Sequence, residues 1–394
     1  MKSPLSKAFS GKRIFLAVFI GLAISGWMLY RSISAQHFID VQSGTGDYVW
    51  VDTNKNGKVD HSDAAEFKAS EHGDYQLETI SSTMSRMNWS VYSWLWIGAA
   101  ILFMVGRDFF YMIRIRMLTE NKLGRKAAFY VVILWEFASA LSPGVVGGTA
   151  VAMFILNRET IPFGKATAIV IITAFMDNLF FVVMIPLVFL FIHHRDLFPE
   201  AETSAFFLTW WFWVGFAIIF TVCLLLYLTI FRYPKLATYF LLFVFRLPFL
   251  KRWKFIAAEW GKDIERASRE FKQKNRSFWL RVFMATFGSW ISRYLVINAI
   301  LAAFLSLGFL DHIKIMGKQL ILWLFMLVSP TPGGSGVAEF AFRELLYSFS
   351  SSFVLLTVMA ILWRLISYFP YLFIGSFLLP AWIRRTRRQA FSKP

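Results

Sequence analysis

The sequence is short of cysteine, of charge and, within its apolar stretches, of histidine, and each shortage excludes something. The single thiol, Cys223, lies in an apolar run, so neither an internal disulfide nor a cysteine-based metal site can form. Charged residues are 16% of the 394, against roughly 25% in an ordinary soluble domain. That excludes a conventional soluble enzyme and a disordered chain. All six histidines (His37, His61, His72, His193, His194 and His312) fall between the apolar stretches, which excludes an intramembrane histidine relay. No His-Glu-x-x-His metal motif is present. What the chain does have is 57% apolar residues, with 44 Phe and 16 Trp. This is the composition of an integral membrane protein. A net charge of +17 then fits basic loops facing anionic lipid, and no nucleic-acid partner is expected.

A helix needs about 20 apolar residues to cross the hydrocarbon core. Residues 1–30 read as a cytoplasmic start and an anchor helix (14–30), retained rather than cleaved although Ser34 and Ala35 offer small residues for cleavage. Residues 31–89 form a polar insert. Apolar stretches near 90–106, 127–141, 164–192 and 205–231 make a first membrane half, 90–231. A basic linker spans 232–281, and a second half, 282–380, has stretches near 282–308, 318–329 and 352–379. Residues 381–394 are a basic tail.

Charge orients these pieces. Cations outnumber acids 4 to 0 in residues 1–13, 6 to 2 in 107–126, 13 to 4 in 232–281 and 5 to 0 from 381 on. The insert has 5 cations to 9 acids, and the loops 193–204 and 309–318 have 1 to 3 and 2 to 1. The positive-inside rule places both termini and the linker in the cytoplasm and the insert outside, in a plasma (inner) membrane. Within the linker, Trp253, Ile256, Trp260, Ile264, Ala267 and Phe271 recur every three or four residues. This stripe describes an amphipathic helix, lying on the inner leaflet or packed on the membrane domain.

Two stretches, 127–141 and 318–329, are too short to cross and run into Gly/Pro clusters. The first cluster is Ser142-Pro143-Gly144-Val145-Val146-Gly147-Gly148-Thr149; the second is Pro330-Thr331-Pro332-Gly333-Gly334-Ser335-Gly336-Val337-Ala338-Glu339. Proline lacks a backbone donor and glycine leaves peptide groups bare, so neither cluster can face hydrocarbon. Pro143 to Asp177 and Pro330 to Arg364 are both 34 residues apart. The expected fold is therefore an all-α polytopic membrane protein of two inverted-topology halves, each with a Gly/Pro-broken re-entrant helical hairpin. Helices starting near Thr149 and Val337 would aim bare N–H groups at one pocket suited to an anion. A second reading has Gly and Pro merely permitting close helix packing or a kink.

The run from Pro330 to Glu339, with Arg364 in the next span, resembles the second-half signature of the lysylphosphatidylglycerol synthase transmembrane-region (flippase-like) family over approximately residues 90–380. The resemblance implies an all-helical membrane domain that moves phospholipids between leaflets. Family members that make the lipid carry a soluble aminoacyl-transferase domain, which is not expected here. Asp177 matches the family's acidic position, whereas neutral residues around Thr149 and Ala152 replace an expected acid and Arg.

Charged residues within spans are functional candidates because each is costly unless paired or hydrated. Here they are Glu136, Asp177, Arg293, Glu339, Arg343, Glu344 and Arg364. Asp177 and Arg364 are expected to pair across the repeat, with Glu339 binding a headgroup or capping its helix. Glu136 reads as a proton carrier, a helix-to-loop bond or a partner of Arg293. Arg293 and Arg364 are expected to hold a phosphate. The substrate-binding set is thus Pro143, Gly147, Gly148, Asp177, Arg293, Pro330, Pro332, Gly333, Gly334, Gly336, Glu339 and Arg364, with no catalytic residue.

In the insert, residues 52–63 fit a dockerin or EF-hand calcium loop, with Asp52, Asn54, Asn56, Lys58, Asp60 and Asp63 at ligand positions and Gly57 at the turn. An Asn56-Gly57 β-hairpin is the alternative. The reading is a non-enzymatic transporter of a phospholipid or other lipid-linked anion. The alternatives are a membrane enzyme acting on lipid headgroups and a channel or scaffold. The sequence leaves the oligomeric state open.

Overall fold

Side-chain caps fix several helix starts in the computed structural model of the protein. The structure describes residues 37–142, 146–198, 202–233, 254–327 and 336–391, apart from 58, 62, 88 and 351, together with residues 30, 235, 236, 239, 243, 331, 333 and 334. The anchor reading of 14–30 falls, Tyr30 aside, outside the described residues, as do Lys58, Pro143, Trp253, Pro330 and Pro332.

The insert is a small sheet. Strands β1 (His37–Asp40), β2 (Gly46–Trp50), β3 (Phe67–Gly73) and β4 (Tyr75–Glu78) run antiparallel in the order β1-β4-β2-β3. Phe38 and Phe67 stack at its core, ring centroids 4.1 Å apart. The tight Asn56-Gly57 hairpin does not form: β2 ends at Trp50 and β3 begins at Phe67, with a long loop between. A Thr79–Ser82 capping box then starts α1 (Ile80–Arg86).

The rest of the described chain is helical. Ser90 caps α2 (Val91–Leu118), followed by α3 (Arg125–Leu141), α4 (Val146–Arg158), α5 (Phe163–Phe191), the short α6 (His194–Leu197) and α7 (Glu202–Tyr227). Next come α8 (Lys254–Lys272), α9 (Arg276–Ala302), capped by Asn275, α10 (Phe309–Leu327) and α11 (Val337–Leu346). Ser352 caps α12 (Phe353–Ser367), and α13 (Phe369–Phe391) follows. Among the described residues, four segments are long and apolar enough to cross a membrane: Val91–Leu118, Phe163–Phe191, Thr209–Arg232 and Phe353–Thr386. The helices α3, α4 and α11 have 17, 13 and 10 residues. At 1.5 Å per residue they reach about 25, 20 and 15 Å, short of a core about 30 Å thick.

Three boundaries differ from expectation. Helix α2 continues past residue 106 to Leu118, so Arg107, Asp108 and Arg114 lie inside it rather than in a cytoplasmic loop. Residues 309–318 open α10 instead of forming a loop, and His312 bonds Asn298 of α9 (Nδ2···Nδ1 3.1 Å). The stretch 352–379 is two helices that part at Tyr368, and the second extends into the basic tail as far as Phe391.

Helices α2 and α9 pack closely, with Gly288 against the Phe110 ring and Gly106 beside Ser292. Gly148 makes the same kind of allowance between α3 and α4, since a Cβ there would lie 2.0 Å from Ser139 Oγ. The described part of the linker stripe, Ile264, Ala267 and Phe271, is buried, and α8 packs on α5. Lys165 binds Glu120 (3.3 Å) and Glu270 (2.8 Å) beside it. This described part of the α8 apolar face thus covers protein. Glu159, at the end of α4, accepts Trp382 Nε1 (2.7 Å) and pairs with Arg385, tying the first half to α13.

Glu78 docks the insert. Its buried carboxylate accepts the Val354 N–H (3.1 Å), the Thr83 hydroxyl (3.1 Å) and the Ser352 hydroxyl, so it caps α12. His37 stacks on Phe353, centroids 3.4 Å apart. Burial, helped by the Arg343 cation, pushes the His37 imidazole down from 6.5 to about 4. The folded protein therefore holds fewer protons than the unfolded chain between these values. His37's contribution is intact above pH 6.5 and is lost as pH falls through this window. The docked insert should weaken by about 2 kcal/mol near pH 5. Hydrogen exchange in β1 at neutral and acidic pH measures this, and His37→Phe should remove the difference.

Candidate functional site

Both Gly/Pro breaks border one cavity of about 250 Å³, the first through Ser142 and Thr149, the second through Gly333 and Gly334. Tryptophans 135, 290, 323 and 363 give it aromatic walls. Arg107, Glu136, Asp177, Arg293 and Arg364 supply its charges. Of the expected site residues, Asp177, Arg293, Gly333, Gly334 and Arg364 line the cavity. Glu339 and Gly336 stand behind Arg364, while Gly147 and Gly148 lie in the first turn of α4, where Gly148 serves helix packing.

The ion pairs are not those expected. Asp177 does not meet Arg364; it takes Arg114 of α2 (2.5 Å) and Trp290 Nε1 (2.9 Å). Arg114 also donates to Thr286 (3.1 Å). Arg364 pairs instead with Glu339 (2.8 Å) and donates to the Gly333 carbonyl (3.1 Å). Glu136 pairs with Arg107 (2.5 Å), not Arg293. Arg107 also holds Asp108 (2.7 Å), which accepts the Tyr371 hydroxyl (2.8 Å). Apart from Arg107–Asp108, each pair joins two different helices, which spacing along one helix does not reveal. The side chains of Arg107, Arg114 and Arg364 are sealed, at 4, 1 and 5% exposed. The carboxylates of Glu136, Asp177 and Glu339 keep 17, 23 and 17%.

Arg293 is different. Its guanidinium lies over Trp290 and Trp323, 5.5 and 5.4 Å from the ring centroids, and it has no hydrogen bond or ion pair among the described residues. Arg364 lines the same cavity, and its buried Nη2 has no partner there either. Two guanidiniums thus leave donor capacity facing one polar, aromatic-walled space, an arrangement suited to an anion with an apolar attachment.

The helix N-termini contribute unequally. Gly336, at φ +85°, donates its N–H to Glu339 Oε2 (2.5 Å), so the start of α11 is capped by its own acid rather than left bare. The capping reading of Glu339 therefore holds alongside its pairing role. Helix α4 has no acid in its first turn.

Arg107, Asp108, Arg114, Tyr371 and the two tryptophans escaped the sequence reading. One signal was available, because Arg107 and Arg114 stand seven residues apart, on one helix face, around the apolar Phe109–Ile113 run.

In the insert loop, Asp52 accepts the N–H groups of Asn56 (3.1 Å) and Gly57 (2.8 Å), and Asn54 Oδ1 accepts Asn56 N–H (3.0 Å). Asp63 accepts the Ala65 N–H (3.0 Å). The buried Glu66 carboxylate takes Trp50 Nε1 (2.9 Å) and Asn54 Nδ2 (2.5 Å). Among the described residues no three acidic, histidine or cysteine side chains are grouped to hold a metal.

Spanning helices around a polar midsection define a multi-pass helical membrane protein. Residues 74–375 match the family described as the lysylphosphatidylglycerol synthase TM region, and the chain belongs to that family. It is also similar to a UPF0104 membrane protein of Archaeoglobus fulgidus, 27% identical over 314 residues, covering 75% of this chain and 89% of that protein. No solved structure matches. The family match begins one residue before β4, so most of the insert sheet lies outside it.

The Arg114–Asp177 pair is testable by double substitution. Arg114→Met strands a carboxylate among aromatic rings and should cost about 3–5 kcal/mol. Adding Asp177→Asn removes the stranded charge and should restore much of the loss, read as the melting temperature of the purified protein. Equal destabilisation of the single and double variants would contradict the pairing.

Proposed function

We propose that the protein moves a phospholipid or other lipid-linked anion between leaflets through this cavity. The observation that carries the reading is Arg293: a guanidinium without an ion-pair partner among the described residues, in an aromatic-walled cavity bordered by both Gly/Pro breaks. A desolvated cation of this kind is expensive to keep unless it meets an anion during function. Family membership supports a lipid as the bearer of that anion.

In this reading α3–α4 and α10–α11 are re-entrant hairpins of an inverted repeat, and the lipid headgroup crosses between them. The termini face the cytoplasm of a plasma (inner) membrane, and the insert lies outside. The protein acts as a carrier and not as an enzyme. Arg364 takes a share of the phosphate through Nη2 while Glu339 holds its Nε.

Reconstitution into vesicles tests this. Fluorescent phosphatidylglycerol should exchange between leaflets only when the protein is present. Arg293→Gln should slow exchange about 10- to 100-fold, the worth of one charge-assisted bond, without lowering the melting temperature. Exchange at the native rate in this variant would refute the assignment.

We further propose that the insert loop takes calcium weakly. Gly57 has the positive φ (+66°) required at the sixth position. Each Asp52 oxygen accepts one N–H, leaving a lone pair for a cation. Calcium at about 1–5 mM, the range of weak extracellular sites, should raise the melting temperature of the full chain, and Asp52→Asn should abolish the rise. No shift in the native chain would reject the site.

A further inference from the structure

The charges around the cavity cancel, and an incoming anion would upset that cancellation. Four cations (Arg107, Arg114, Arg293 and Arg364) stand there with four acids (Asp108, Glu136, Asp177 and Glu339). Arg114 neutralises Asp177, and Arg364 neutralises Glu339. Arg107 alone is shared by two carboxylates, Asp108 on Nη1 (2.7 Å) and Glu136 on Nη2 (2.5 Å). That triad carries one surplus negative charge. Its counterweight is Arg293, the cation in this set with no ion-pair partner among the described residues.

Arg107, Glu136 and Arg293 line the same cavity. When a phosphodiester docks on Arg293, the counterweight is consumed and a carboxylate is left uncompensated in low-dielectric surroundings, a state that is strongly penalised. A proton from water, converting one carboxylate to a neutral acid, restores the cancellation and leaves Arg107 with one anionic partner.

We propose that the cavity takes up a proton together with its anion, and that the Asp108–Glu136 pair around Arg107 holds that proton. This rests on the anion reading above. The groups facing the pair are Arg107, Tyr111 and Arg114 of α2, Asp177 of α5, Arg293 of α9 and Tyr371 of α13. Arg114 is committed to Asp177 and Thr286, with its guanidinium over Tyr111 at 4.1 Å. Tyr371 donates to Asp108 (2.8 Å) and accepts from Arg107 (3.2 Å), which steadies the pair without changing its charge. No other cation in this set is left to neutralise the surplus once Arg293 is occupied. An anion carrier with this pair would be driven by a proton gradient as well as by the gradient of its lipid.

Calorimetry on the full-length protein in detergent reads this directly, with dihexanoyl-phosphatidylglycerol as the probe. Titrations near pH 7 in two buffers of different ionisation enthalpy should show about one proton taken up per probe bound. Affinity should weaken about tenfold per pH unit as pH rises from about 6 to 9, the slope of one linked proton. Asp108→Asn and Glu136→Gln, which each neutralise the surplus in advance, should bind the probe with uptake near zero and a flat pH profile. Binding to the native chain without proton uptake, or with a flat profile, overturns the proposal while the anion reading stands. If a variant does not fold, the native pH profile alone decides. Absence of probe binding to the native chain overturns the anion reading and this inference with it.

Discussion

A guanidinium or carboxylate removed from water must find its opposite, and here the opposite comes from another helix. Arg107 and Arg114 of α2 reach Glu136 of α3 and Asp177 of α5, and Arg364 of α12 reaches Glu339 of α11. Breaking such a pair leaves a charge where nothing solvates it, so each acts as a latch on the relative position of two helices. The latches surround the cavity and fix its walls. Close packing of α2 on α9, permitted by Gly288 under the Phe110 ring, then brings Arg293 and Trp290 against the same space.

The two halves use their breaks differently. In the second, Gly336 is held by Glu339 and Glu339 by Arg364, so the positive end of α11 is satisfied from within. In the first, α4 begins with Val-Gly-Gly-Thr and has no acid in its first turn. The neutral residues around Thr149 thus stand where the second half places Glu339. The start of α11 carries a carboxylate within its first turn, and the start of α4 does not.

Hydropathy and punctuation made much of the membrane part legible. The stretch 164–192 became α5 nearly to the residue, and both Gly/Pro clusters border the cavity. What failed was the assignment of charge. Arg107 and Arg114 made 107–126 look like a cytoplasmic loop, because a sequence shows a cation but not the acid that seals it from a distant helix. The expected Asp177–Arg364 pair failed for the same reason: equal spacing says that two residues occupy equivalent places, not that they touch. In the insert it was the alternative reading, the hairpin, that did not form. Its Asn56-Gly57 dipeptide is a strong local turn signal, yet the buried Glu66 carboxylate, gathering Trp50 and Asn54, holds a wide loop open instead. Long-range satisfaction of one buried acid outweighed a two-residue preference.

The capping of α12 by Glu78 ties the two parts of the molecule together mechanically. Val354, whose N–H Glu78 accepts, and Arg364 are on one unbroken helix, about 15 Å apart along its axis. A helix of that length is stiff, so a tilt imposed on the sheet is transmitted to the guanidinium beside the cavity with little loss. The insert therefore stands at one end of a rigid path whose other end is a wall of the cavity.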